Sequence, residues 1–155
     1  MPIPPFVVEL RKLVGTHELW MPAVTAVVRR GDEILLTERV DNGRWAPVTG
    51  IVDPGEEPAL AARREALEEA GVEISVDRLA AVSASSRITH VNGDLGVYLD
   101  LTFACTWLSG EARVCDDENT DVRWWPVDAL PDLQPFLLER IDAGLADEVA
   151  ARFRF

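Results

Sequence analysis

Lysine is almost absent from this 155-residue chain: there is one, Lys12, and every other basic residue is arginine. Basic residues number 15 in all against 27 acidic ones, a formal charge of −12. A body this acidic repels DNA, RNA and anionic membranes, so nucleic acid and membrane are not expected partners. An anionic substrate would need the field reversed locally, by arginines or a metal ion. Cysteine is also scarce. The two, Cys105 and Cys115, stand in no CxxC or CxxH setting, which excludes a disulfide-stapled mini-protein and fits a reducing cytoplasm. No apolar run approaches the ~18 residues that span a bilayer. Met1 to Pro5 lacks the basic and apolar regions of a signal peptide. The expectation is a soluble, cytoplasmic protein. Hydrophobic residues make up 48% and are spread throughout, enough for the core of one domain and too many for a disordered chain.

The pattern predicts a short helix over Phe6 to Val14, ended by Gly15, and strands over Ala23 to Val28 and Glu33 to Arg39 joined at Gly31-Asp32. Gly43 to Gly55 reads as loop with at most a short strand at Ala46 to Val48. Pro58 to Ala70 is the clearest helix, with Pro58 at N1 and Gly71 at C′. Further strands are expected at 72–76, 79–85, 97–108 and 122–126, with a turn at Asn92-Gly93. Two C-terminal helices, 134–141 and 145–153, are expected on either side of a break near Gly144. The sum is an α/β fold, a mixed sheet flanked by helices.

The chemistry lies in Gly50 to Val72, GIVDPGEEPALAARREALEEAGV. On the helix, Glu65, Glu68 and Glu69 stand at i, i+3 and i+4 and share an arc of about 100°. The wheel sets them opposite an apolar face of Ala59, Leu60, Ala66, Leu67 and Ala70. Like charges at these spacings each destabilise a helix by roughly 0.2–0.5 kcal/mol, and no lysine interleaves them. Three converging carboxylates suit a hard divalent cation such as Mg²⁺ or Mn²⁺. On geometry alone, a metal site and a solvated acidic face stand level.

The flanking residues break the tie. Gly50, Glu56, Arg64, Glu65, Glu68, Glu69 and Gly71 match every fixed position of GX5EX7REUXEEXGU, with Ala66 and Val72 in its two aliphatic places. At about 1 in 15 per letter, seven matches arise by chance on the order of 10⁻⁸ per start site. The chain therefore resembles the Nudix hydrolase family. The resemblance implies an α/β/α sandwich over 22–155 behind an N-terminal helical extension, 1–21. It also implies Mg²⁺, or Mn²⁺, as cofactor, a small nucleotide as substrate, and the homodimer that Nudix domains often form. It places Glu65, Glu68 and Glu69 as metal ligands, with the Gly50 carbonyl as another. Glu65 becomes the general base, Glu68 the next catalytic carboxylate, and Arg64 the residue that orients Glu65. Glu56 and Gly71 become supports of the loop and helix. The expected reaction is water attack on a pyrophosphate phosphorus of a nucleoside diphosphate linked to another group, a nucleotide sugar such as ADP-ribose or a nucleoside triphosphate. A catalytically silent nucleotide-binding module is the alternative. One departure stands out: Thr49 replaces a glycine common in the family, and a positive φ there would strain it.

Outside the box, Glu118 in Asp116-Asp117-Glu118 is the candidate further metal carboxylate, against a solvated acidic loop. Arg39, Arg44 and Arg87 are candidates for meeting an anionic substrate, against ordinary surface arginines. His90 lies in a connection that could cover the pocket, and Trp45, Tyr98 and Trp125 could stack on a base, against plain core packing.

Overall fold

The computed structural model describes residues 3–154. Its elements follow the chain as α1 (Pro5–Val14), β1 (Leu19–Arg30), β2 (Glu33–Arg39), β3 (Trp45–Ala46), β4 (Val48–Ile51), α2 (Pro58–Ala70), β5 (Glu73–Ala84), β6 (Ile88–Thr89), β7 (Leu95–Ser109), β8 (Asn119–Pro126) and α3 (Pro135–Leu145). The strands form one mixed sheet, with β3-β2-β1-β7-β5 as its spine. Helices lie on both faces, giving the α/β/α sandwich.

Strand β1 organises the sheet. Along one edge it pairs in parallel with β7 from Leu19↔Gly96 to Arg29↔Thr106. Along the other it is shared: residues 23–26 pair with β4, and Arg29 and Arg30 close the hairpin with β2. Gly31, at φ 59°, makes that turn. Because side chains alternate along a strand, β1 feeds two cores. Val24, Ala26 and Val28 face α2, with Leu35, Val48 and Phe103. Val27 faces α3, with Ile34, Leu36, Leu133 and Ile141.

Three expectations need correction. First, Gly144 does not separate a pair of helices. It lies inside α3, where an added Cβ would stand 2.6 Å from Val27, so this glycine serves close packing against β1. The stretch expected as a helix at 145–153 is irregular and is tied back by an Arg152 bridge to Ala81. Second, the strands expected at 72–76 and 79–85 are one strand, β5, whose register against β7 shifts at three places and mimics a break in the pattern. Third, Thr49 is not strained: it sits in β4 opposite Thr25, and no described non-glycine residue has a positive φ. Both cysteines are free, Cys105 buried and Cys115 exposed. No helix among the described residues is long and apolar enough to cross a membrane.

Candidate active site

Helix α2 begins at Pro58 and ends at Gly71, whose φ of 69° and ψ of 22° give the left-handed cap. The buried face is not the one the wheel chose. Leu60 and Leu67 are each 53% exposed, while Ala61, Ala62, Glu65, Ala66, Glu69 and Ala70 are buried. Two of the three carboxylates thus occupy the middle of the face turned to the sheet. The reason is size: alanines let α2 lie close to β4, near enough for the Glu65 side chain to fill the space over Gly50. An added Cβ at Gly50 would stand 2.0 Å from the Glu65 carboxyl carbon, so glycine at 50 is what makes room for Glu65.

Arg64 organises the surrounding carboxylates. Its Nε and Nη2 each donate to Glu56 at 2.8 Å, a two-pronged pair. Nη1 donates to Glu65 Oε1 at 2.8 Å and to Glu68 Oε2 at 3.2 Å, and Nη2 also reaches the Ile51 carbonyl at 3.3 Å. Its hydrogen bonds to Glu56 raise the Arg64 pKa and hold the Glu56 carboxyl below its usual range. Glu56 also accepts from the Asp53 amide, stapling the loop before α2. Gly50, Glu56, Arg64, Glu65 and Glu68 are therefore brought together.

Glu65 is wholly buried, and its second oxygen, Oε2, has no hydrogen-bond partner among the described residues. Burial, with the Glu68 charge adding to it and Arg64 opposing it, pushes its pKa up to about 7. Glu69, 3% exposed, is pushed up to about 8, by burial first and then by the Glu65 and Asp116 charges. Buried carboxylates left without full pairing are costly, and shifts of this kind cluster where a site does chemistry. No three His, Cys, Asp or Glu side chains among the described residues stand already arranged to hold a metal ion.

The β7–β8 connection closes the other side. The Cys115 amide donates to the Glu69 carbonyl. Asn119, buried at the start of β8, donates from Nδ2 to Asp116 Oδ1 at 3.1 Å, while its own Oδ1 has no partner among the described residues. Glu118 lies 3.9 Å from an Arg39 nitrogen. Burial would lower the Arg39 pKa, but Asp41, Glu118 and Glu69 outweigh it, so Arg39 feels the charge of both Glu118 and the box. The other two arginines are not drawn in. Arg87 pairs with Glu18, and Arg44 is exposed in the β2–β3 turn. His90 Nε2 and the Tyr98 hydroxyl lie 2.8 Å apart, and Trp45 packs edge-on against Trp125 at 5.3 Å. Asp116 and Asn119 were not singled out from the sequence. Asp116 was legible only as one of three adjacent acids, and nothing marked Asn119.

A NUDIX domain model matches residues 19–148, and the chain belongs to the Nudix family. The NAD-capped RNA hydrolase NudC of Pseudomonas aeruginosa (strain LESB58) is 34% identical over 114 residues, covering 72% of this chain and 38% of that protein. A MutT-like protein of Streptomyces ambofaciens is 33% identical over 98 residues, covering 63% of this chain and 58% of that one. A solved Nudix hydrolase from Nitrosomonas europaea superposes with a TM-score of 0.63 at 25% identity, over 81% of this chain and 88% of that one. The chain spans well under half the length of the NudC relative it matches.

Proposed function

We propose that this protein is a divalent-metal-dependent pyrophosphohydrolase acting on a nucleoside diphosphate linked to a second group. The observation that carries the reading is Glu65: wholly buried, with Oε2 facing no donor among the described residues and a pKa of about 7. An orphaned, hard carboxylate oxygen fits a magnesium or manganese ion, and glycine at 50 leaves room for the Glu65 carboxyl beside the Gly50 backbone. Glu65, Glu68 and Glu69 would hold the ion, with the Gly50 carbonyl and Glu118 as further oxygens. When bound, such an ion neutralises phosphate charge and makes water a better nucleophile.

The chain's own residues supply the rest. Arg64 fixes Glu65 through Oε1 and leaves Oε2 free to act. Water adds to one phosphorus, the bridging P–O bond breaks with its oxygen leaving on the second phosphate, and the water's proton passes to a carboxylate of the box, Glu65 first among them. Arg39, 3.9 Å from Glu118, offers positive charge beside the carboxylates. The NudC relative is named an NAD-capped RNA hydrolase, which is the reason to try an NAD-capped RNA despite the charge of −12.

The test is a hydrolysis panel with Mg²⁺: ADP-ribose, NAD⁺, NADH, UDP-glucose, dGTP and an NAD-capped oligoribonucleotide, with products resolved by chromatography. The expected outcome is cleavage of at least one compound at its pyrophosphate, abolished by EDTA. Tight nucleotide binding without any product would instead identify a binding module.

A further inference from the structure

The stretch ahead of residue 19 lies outside the matched family domain, yet its first described turn reaches the box. Pro4 and Pro5 line a cleft of about 390 Å³ together with Asp53, Arg64, Glu68, Cys115 and Asp116. That volume falls in the range of roughly 300–1,000 Å³ typical of small-molecule sites. Pro4 is buried, and one turn on, Val7 is the buried residue of α1. Val8, Leu10, Leu13 and Val14 are exposed. A ten-residue helix that buries so little does not stay docked on apolar contact alone.

Arg11 supplies the second anchor. Its Nε lies 3.3 Å from Asp94 Oδ2, with 12% of the side chain exposed. Its Nη2 donates to the Leu95 carbonyl at 2.8 Å, and Nη1 donates to the carbonyls of Gly15 and His17. One guanidinium therefore ties α1, and the link that follows it, to the start of β7 and the turn before it.

We propose that α1 is a wall of the active site: latched by Arg11, it holds Pro4 and Pro5 against the substrate bound beside Arg64 and Glu68. Proline presents a rigid apolar ring and no N–H to an anion. The wall therefore meets an uncharged region of the substrate, a base or sugar face, and the phosphates lie toward the arginine and carboxylate side. Residues ahead of the family domain then help decide which linked group fits. This rests on the function proposed above, but the wall can be tested without it.

Cys115 lines the same cleft and is exposed, so it takes a fluorophore while α1 is docked and serves as the reporter. Cys105 is buried and its thiol is pushed up to about 12 by that burial, so it stays unlabelled in the native protein. The emission of acrylodan on Cys115 is read in wild type, in Arg11→Ala, and in Val7→Asp, which undocks the helix by a separate route. Both variants should speed amide exchange across α1 and shift the acrylodan emission to the red as the proline wall leaves it. On the best substrate of the panel, with unlabelled protein, KM should rise at least about threefold while kcat changes less than about twofold. Faster α1 exchange with unchanged emission, or with unchanged KM, overturns the proposal, as does α1 exchange at the wild-type rate in both variants. A wild type inert on the whole panel sinks the proposed function alone, since the emission still reads the wall.

Discussion

Two buried carboxylate sites lie on opposite faces of the same sheet, and they are built to different standards. On the α3 face, Asp100 is 2% exposed and fully engaged. Its Oδ2 accepts from Thr25 at 2.7 Å and lies 3.1 Å from Arg140 Nη1 as an ion pair, and its Oδ1 accepts from Thr102 at 2.7 Å. On the α2 face, Glu65 and Glu69 are just as deep but poorly matched: one Glu65 oxygen takes Arg64, and the other takes nothing among the described residues. Burial raises the pKa of all three, yet around Asp100 the arginine and both threonines pull the other way. A satisfied buried carboxylate joins elements together. An unsatisfied one is a standing strain that a protein tolerates where the group has work to do.

The largest effect expected from breaking this comparison is on stability. Asp100→Ala strands Arg140 in the interior and removes the acceptor of two threonines, so chemical denaturation should show a loss of about 3–5 kcal/mol. A variant that stays stable but loses turnover would put Asp100 in the reacting site and dissolve the contrast. Glu65→Gln should do the reverse. Its kcat should fall by at least ~10²-fold, the low end for one positioned acid–base group. Its melting temperature in chelator should hold or rise, since a buried charge and a like-charge neighbour are both removed. Full activity in Glu65→Gln would move the base to another carboxylate.

A smaller effect follows from pH. Glu65 and Glu69 reach about 7 and 8 in the folded chain and lie near the ordinary carboxylate value when unfolded. Between those values the folded state holds more protons than the unfolded one, so stability falls as pH rises through that window. In EDTA the melting temperature should decline from pH 5 to pH 8, the decline should flatten in the Glu65→Gln, Glu69→Gln double variant, and Mg²⁺ should offset it at pH 8. A chelated wild type that loses no more stability between pH 5 and pH 8 than its double variant would contradict the raised values. The smallest expected effect separates the arginines: Arg39→Ala should raise KM severalfold, whereas Arg87→Ala, which loses only an exposed pair with Glu18, should change stability by no more than about 1 kcal/mol and leave KM unchanged. Equal KM effects would mean that the field of Glu118 and Glu69 around Arg39 is irrelevant to substrate.

What could be read from residue order alone was whatever is local. Pro58 and Gly71 bound α2 because proline suits a first turn and glycine a left-handed cap, and both effects act within a few residues. The family followed from seven fixed letters in 23 residues for the same reason: a loop and helix that hold carboxylates need particular residues at particular spacings. What required the fold is whatever depends on a neighbour far along the chain. Leucines 60 and 67 looked like the core face, and only the approach of β4 shows that alanines and two glutamates fill it. Gly144 looked like a break until Val27 proved to be its neighbour. Glu65's burial, Asn119's hold on Asp116, and the cleft that Pro4 shares with Arg64 depend on distances between segments. Burial and pKa are set by everything packed around a group, so the carboxylates' identity was written in the sequence while their unsatisfied state was decided by tertiary packing.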